Sequence, residues 1–236
     1  MEDQNQPITD DDKYVYGNVK RLKRQGLSIS DADFVAEGRI WQQLFADYLP
    51  QFTAFDPQLD STYADQWLQE LNRFSELPSD ETMRDLMVQA QLDSVAAQQA
   101  AMTLADDVAY YVKKAYPKDE RKADEFGFKL MRKQVAKPNI KFALYGFTLH
   151  RVYERYATAL LAAGLPAGWE ADYLTAIENS AGAHITHEWQ KRERIRATTE
   201  RVEVYNTLNS LWERVQEASR VIFREQEELR KLWQKK

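Results

Sequence analysis

The chain has 236 residues, of which 44% are hydrophobic and 29% charged, with 32 basic against 37 acidic side chains. This length is sufficient for a buried core, and the absence of cysteine excludes disulfide scaffolds, thiolate metal sites and a cysteine nucleophile. The longest apolar stretch, around residue 157, is about half of what spans a bilayer, and the acidic first residues do not resemble a secretory signal. We therefore expect a cytoplasmic protein without membrane contact.

The seven prolines and the acidic and basic runs divide the first part of the chain. Residues 1–28, which are acidic and then basic, are interpreted as a mobile charged tail. A first helix is predicted over 32–49, because its apolar side chains recur at spacings of three, four and seven and Pro50 follows it. A second helix is predicted over 61–75 on the same periodicity.

Three further helices are predicted in the middle of the chain. Ser79, which follows Pro78, is a typical N-cap and begins a helix over 80–115. A shorter helix follows over 119–135. The next, over 138–163, is apolar on almost every side, which is typical of a central helix.

The last part of the chain has no proline after residue 166 and is predicted to be one long helix or a helix pair. A single helix over 169–233 would be about 97 Å long, whereas a break near residue 198 would divide it; the sequence leaves both open. Its first part carries the apolar series Leu174, Ile177, Ala181, Ile185, Trp189, Ile195 and Val202. Its second part carries a seam of Leu208, Leu211, Val215, Ile222, Leu229 and Trp233, which either earlier helices or a second chain would cover.

No segment has the alternation of period two or the turn dipeptides that indicate strands. The sequence therefore predicts an all-α protein, an elongated helical bundle of about six helices with a very long C-terminal helix or helix pair. We expect a single helical-bundle domain over 29–236.

Three segments carry a resemblance to known proteins. They are FTAFDPQL-x3-Y-x3-W over 52–67, EFGF over 125–128 and TERVEVYNTLNSLW over 199–212. With these motifs the chain resembles a family of uncharacterised all-helical bacterial proteins, over residues 45–235. The resemblance implies an all-α fold, and it implies no activity, cofactor or functional residue.

His184, His187 and Glu188 are the candidate metal ligands, because spacings of three and four bring them to one side of a helix. Two imidazoles and a carboxylate suit zinc or non-haem iron. The Glu-x-x-His pattern of di-iron bundles is absent, and Lys191 breaks the His-Glu-x-x-His pattern of zinc proteases. The competing interpretation is a solvated or subunit-facing helix stripe, and on that basis we expect no cofactor.

His150 lies in the most apolar predicted helix, close in sequence to Tyr145 and Tyr153. These three residues could form a polar pocket that binds a ligand, or His150 could only complete a core. Phosphate-binding glycine loops and the Gly-x-Ser-x-Gly motif are absent. The sequence therefore identifies no catalytic residue, and although it leaves enzymatic activity open it does not favour it.

The charges are unevenly distributed along the chain. Residues 28–112 contain 3 basic and 15 acidic side chains, whereas residues 113–236 contain 24 basic and 17 acidic ones. The basic run over 191–196 is interleaved with glutamates, which favours complementary packing over nucleic-acid binding. The sequence therefore predicts a non-enzymatic interaction or scaffolding protein that binds a protein partner or itself through the C-terminal helix. The alternative is a helical bundle with an internal ligand-binding or catalytic pocket near His150.

Overall fold

The computed structural model describes Arg24 and residues 30–233, and within these residues it contains helices and no strand. The all-α prediction is confirmed for this part of the chain. The predicted tail over 1–28 lies outside the described residues apart from Arg24. In chain order the helices are α1 Asp31–Asp47, α2 Leu49–Phe55, α3 Ser61–Glu76, α4 Asp80–Ala115, α5 Glu120–Glu125, α6 Phe128–Arg132, α7 Ile140–Ala162, α8 Trp169–Ile222 and α9 Glu227–Leu232.

The first helices begin where the sequence supplies a capping oxygen. The Ser30 hydroxyl accepts a hydrogen bond from the Asp33 amide at 3.1 Å, and the Ser79 hydroxyl accepts one from the Thr82 amide at 3.0 Å. Helix α1 ends at Asp47, close to the prediction. Pro50, however, lies in the first turn of α2, where its fixed φ and missing amide hydrogen are tolerated, so the sequence missed this short helix.

The middle of the chain differs from the prediction in two ways. The helix predicted over 119–135 is two short helices, α5 and α6, because Gly127 between them adopts a left-handed φ of 71°. The helix α7 is not buried on every side, since Leu144 is 58% exposed and Ile140 is also exposed. Although apolar residues occur on almost every side of α7, part of its surface is exposed to solvent, so α7 is not a central helix.

Helix α8 is continuous through residue 198, so the structure answers the open question of one helix or two in favour of one. It ends at Ile222, however, and the short α9 follows after a turn. The single-helix alternative over 169–233 is therefore wrong in its last part. None of the helices in the described residues combines the length and the apolarity needed to cross a membrane.

The described residues divide into two compact units. Unit 1 contains residues 24, 30–77 and 198–233, and unit 2 contains residues 78–197. The single domain over 29–236 stays a prediction.

Unit 1 has a core of aromatic side chains from α1 to α3 and from the end of the chain. The indole of Trp233 lies 5.8 Å from that of Trp41 and is stacked on the ring of Phe223 at 6.1 Å, measured between ring centroids. The predicted seam lies in this core: Leu208, Leu211, Val215 and Trp233 are buried, and Ile222 and Leu229 pack against them. Residues of the same chain therefore cover the seam.

Unit 2 is built on the close approach of α7 and α8. A Cβ atom added at Gly146 would lie 2.2 Å from Cδ1 of Ile177, so only glycine fits there without a shift of its neighbours. The buried Tyr173 donates its hydroxyl hydrogen to the Gly146 carbonyl at 3.2 Å. On α4, the small side chains of Ala101 and Ala105 are buried in the same core.

Candidate functional site

The three predicted metal ligands lie together on α8, within unit 2. His184, His187 and Glu188 each offer one ligand atom, and these atoms are within 4.8 Å of one another. His187 is only 4% exposed, and its Nδ1 lies 3.6 Å from Oε1 of Glu188. The interpretation of this segment as a solvated helix stripe is therefore wrong for His187.

Burial around these ligands favours a neutral imidazole at His184. Burial lowers the pKa of His184 below its ordinary value of 6.5; the charge of Glu188 opposes this shift and that of Lys191 reinforces it. Lys191 also donates a hydrogen bond from Nζ to Oε1 of Glu188 at 3.0 Å. The lowered pKa of His184 favours the neutral imidazole, which is the form of histidine that binds metal ions.

Two contacts show that α4 lies beside this part of α8. The indole nitrogen of Trp169 donates a hydrogen bond to the Leu104 carbonyl at 2.9 Å. Further along, Nη1 of Arg194 lies 3.8 Å from the sulfur of Met87. Since α8 advances from Trp169 to Arg194 while α4 goes back from Leu104 to Met87, the two helices are antiparallel over this stretch.

Between these two contacts the neighbouring stretches of α4 and α8 carry five polar side chains, which we call the polar layer and define as Ser94, Gln98, Ser180, His184 and His187. All are buried except His184, which is partly buried. Ser94 and Gln98 belong to α4 and are fully buried, and Ser180 on α8 is almost so. Nε2 of Gln98 donates a hydrogen bond to the Asn139 carbonyl at 3.2 Å, next to the first residue of α7. Sequence reasoning missed these residues, although the spacing of four between Ser94 and Gln98 on an alanine-rich face was visible.

The predicted ligand pocket is only partly assembled. His150 donates from Nε2 to Oε1 of Glu170 at 2.9 Å, and its ring centroid lies 6.1 Å from that of Tyr153. The Tyr153 ring is buried against Trp169 at 4.8 Å, and burial raises its pKa, with the charge of Glu170 adding to the shift. Tyr145 packs against the unit 2 core, and within the described residues no ring contact joins it to His150.

Two other features of unit 2 could hold a ligand. His150, Glu154 and Glu170 form a second group whose ligand atoms lie within 4.8 Å of one another. A groove of about 480 Å³ is lined by Leu104, Asp106, Asp107, Tyr110, Tyr111, Pro166, Gly168, Trp169 and Asp172. His150 does not line this groove, so the groove is not the predicted pocket.

A row of exposed residues follows the outer side of α8 and is called the outer stripe. It consists of Glu178, Gly182, Ile185, Trp189, Arg192 and Arg196, all exposed and separated by alternating steps of four and three. Ile185 is 64% and Trp189 55% exposed, although both belong to the predicted apolar series of α8. A strict alternation of four and three is the spacing of helices that pair with another helix.

Comparison with known proteins adds no relative. No protein-family model, no curated protein and no solved structure matches the chain. The resemblance to uncharacterised all-helical bacterial proteins therefore stays a prediction.

Proposed function

We propose that this protein is a non-enzymatic helical interaction protein that associates with a second copy of itself through the outer stripe of α8. The observation that supports this most directly is the exposure of Ile185 and Trp189 one helical turn apart. A large aromatic and a branched aliphatic side chain, held side by side on a helix in water, are typical of an interface. The cytoplasmic location expected from the sequence belongs to the same proposal.

Two copies of the outer stripe are complementary to each other when their helices run in opposite directions. In an antiparallel pair of α8 helices related by a two-fold axis near residue 187, Ile185 of one copy faces Trp189 of the other. Gly182 then faces Arg192, and Glu178 faces Arg196. The apolar residues meet at the centre and opposite charges meet at both ends, whereas a parallel pair in register would bring equal charges together.

Gly182 supports the same arrangement. It lies inside a helix, where glycine is unfavourable, and an added Cβ there would meet no atom of the described residues within 4 Å apart from the adjoining helix backbone. Packing within the chain therefore does not explain why the residue is glycine. In the antiparallel pair, the missing side chain leaves room for the aliphatic stem of Arg192.

The association should be weak. Ile185 and Trp189 of two copies would bury roughly 400 Å² of apolar surface, which contributes about 10 kcal/mol at 25 cal/mol per Å². The lost freedom of two associating molecules costs about 4–15 kcal/mol. The net gain is therefore at most about 6 kcal/mol, and we expect a dissociation constant of about 40 μM or weaker, as for a small transient interface.

Sedimentation velocity on the full chain, over about 1 μM to 1 mM protein, tests this proposal. We expect a concentration-dependent dimer that Trp189→Ala abolishes. Tyr110→Ala is the matched control, because Tyr110 is an aromatic residue of the same unit that is 62% exposed but lies on α4. A chain that is monomeric throughout, or equal effects of the two variants, would refute self-association through the outer stripe.

A charge exchange tests the antiparallel register. Glu178→Arg and Arg196→Glu should each weaken the dimer, and the double variant should restore it, because each end of the interface regains one positive and one negative side chain. Arg196 also pairs with Glu193 of its own chain at 2.8 Å, so helix content is compared by circular dichroism. If the double variant is as weak as the two single variants, the register is wrong.

The alternative function, a ligand pocket around His150, Tyr145 and Tyr153, stays a prediction. His150 already bonds to Glu170, and Tyr153 is already packed against Trp169. These contacts occupy groups that such a pocket would offer to a ligand, which supports the interaction proposal instead.

A further inference from the structure

The polar layer contains several buried atoms whose hydrogen-bonding capacity is unused. Among the described residues, the hydroxyl oxygens of Ser94 and Ser180, Oε1 of Gln98 and Nδ1 of His184 have no hydrogen-bond partner. A buried polar atom without a partner costs about 1–3 kcal/mol. Since such atoms are rare in folded proteins, four of them on neighbouring stretches of α4 and α8 point to an ion or to ordered water.

The ligand set beside these atoms has the chemistry of a metal site. Zinc binds histidine nitrogen and carboxylate oxygen at about 2.0–2.2 Å, so two ligand atoms on one ion lie at most about 4.4 Å apart. The atoms offered by His184, His187 and Glu188 are within 4.8 Å of one another, so small side-chain rotations bring them to one ion. Burial of His187 limits its motion, and the partly exposed Glu188 gives an ion access from solvent.

We infer that His184, His187 and Glu188 bind one divalent transition-metal ion of the zinc class, on the face of α8 that adjoins the polar layer. Three protein ligands leave a further coordination position for water. Ser180 lies one helical turn before His184, so its unused hydroxyl oxygen is on the same side of α8 as the ligand set. The inference does not depend on self-association, because none of the three ligands belongs to the outer stripe.

Lys191 distinguishes a metal site from a purely structural arrangement. Its ammonium group lies 3.0 Å from Oε1 of Glu188, so it occupies a carboxylate oxygen that the ion needs and repels the ion's charge. Its side chain is flexible and partly exposed, so it can move aside at a cost. Replacing it with an uncharged residue should therefore tighten metal binding, an effect that a structural histidine cluster would not produce.

The test is a zinc titration of metal-free full-length protein, in competition with a chromophoric chelator. We expect one zinc ion per chain, affinity at least about 10-fold weaker in His184→Gln and in Glu188→Gln, and tighter binding in Lys191→Gln. The matched control is His150→Gln, which alters the second ligand group and should leave the affinity unchanged. Melting curves of the metal-free variants show whether each remains folded, and Glu188→Gln keeps the test valid if His184→Gln does not fold.

Three results would overturn the inference. The first is wild-type affinity no tighter than that of Glu188→Gln. The second is loss of zinc binding in His150→Gln together with its retention in His184→Gln, which would assign the ion to the His150, Glu154 and Glu170 group. The third is equal affinity in Lys191→Gln and the wild type.

Discussion

Two glycines inside helices of unit 2 have opposite surroundings, and this contrast gives a sharp test of the packing that positions the site. A Cβ atom added at Gly146 on α7 would lie 2.2 Å from Cδ1 and 2.9 Å from Cγ1 of Ile177, which is fully buried. A Cβ atom added at Gly182 on α8 would meet, in the part of the chain that the structure describes, nothing within 4 Å beyond the adjoining helix backbone. Alanine should therefore destabilise unit 2 at Gly146 and stabilise it at Gly182.

The expected magnitudes follow from two contributions. Replacing glycine by alanine inside a helix gains about 1 kcal/mol at either position. At Gly146 the new methyl group must displace Ile177, and such overpacking costs about 1–3 kcal/mol. The free energies of unfolding of the two variants should thus differ by about 1–3 kcal/mol, which corresponds to a difference in melting temperature of roughly 2–12 °C.

The measurement is thermal and urea unfolding of the full chain, followed by circular dichroism at protein concentrations at which it is monomeric. Both glycines belong to unit 2, so the same unfolding transition reports on both. Ile177→Val removes Cδ1 and should relieve the effect of Gly146→Ala, with a coupling of at least about 0.5 kcal/mol in a double-mutant cycle. If Gly146→Ala is as stable as Gly182→Ala, the close approach of α7 and α8 is refuted.

Two further predictions concern unit 1. Trp233→Ala should lower the free energy of unfolding by about 3–5 kcal/mol, because the indole is buried in the aromatic core. As a control, Trp189→Ala should change the free energy of unfolding by less than about 0.5 kcal/mol, because Trp189 is exposed. Equal losses of the two variants in urea unfolding would contradict the buried position of Trp233. Burial raises the pKa of Asp31, but hydrogen bonds from Arg24 and Arg201 outweigh this and lower it below 3.8. The stability gained from this carboxylate is therefore present above pH 3.8 and is lost as the pH falls below that value. Asp31→Asn should consequently be less stable than the wild type near pH 7 and equal to it in strong acid. Urea unfolding at a series of pH values measures this difference.

Local chemistry made the helix beginnings predictable. Ser79 after Pro78 supplies both a break and a capping oxygen, and α4 begins at Asp80 as expected. The same reasoning failed at Gly127, because an isolated glycine can either continue a helix or adopt a left-handed φ, and only the packing of its neighbours decides. The end of α8 at Ile222 was missed for a similar reason. The heptad spacing continues to Leu229, but burial of Trp233 beside Phe223 requires the chain to turn before it.

Spacing alone was enough to bring the candidate ligands to one side of α8. It could not predict their burial, because this depends on α4, whose Ser94 and Gln98 lie about 90 residues earlier in the chain. It also assigned Ile185 and Trp189 to an apolar series. On a helix with apolar residues on more than one side, periodicity shows that a stripe exists but not which stripe a neighbouring helix covers.

The segment over 178–196 of α8 thus carries two stripes with different roles. The buried side presents imidazoles and a hydroxyl to the polar layer, a chemistry that suits an ion and contributes little to helix pairing. The exposed side presents Ile185 and Trp189 between a carboxylate and two guanidinium groups, a chemistry that suits another helix and offers no ligand set for a metal. Because the substitutions that test one stripe leave the side chains of the other unchanged, zinc affinity and self-association can be refuted separately in the same chain.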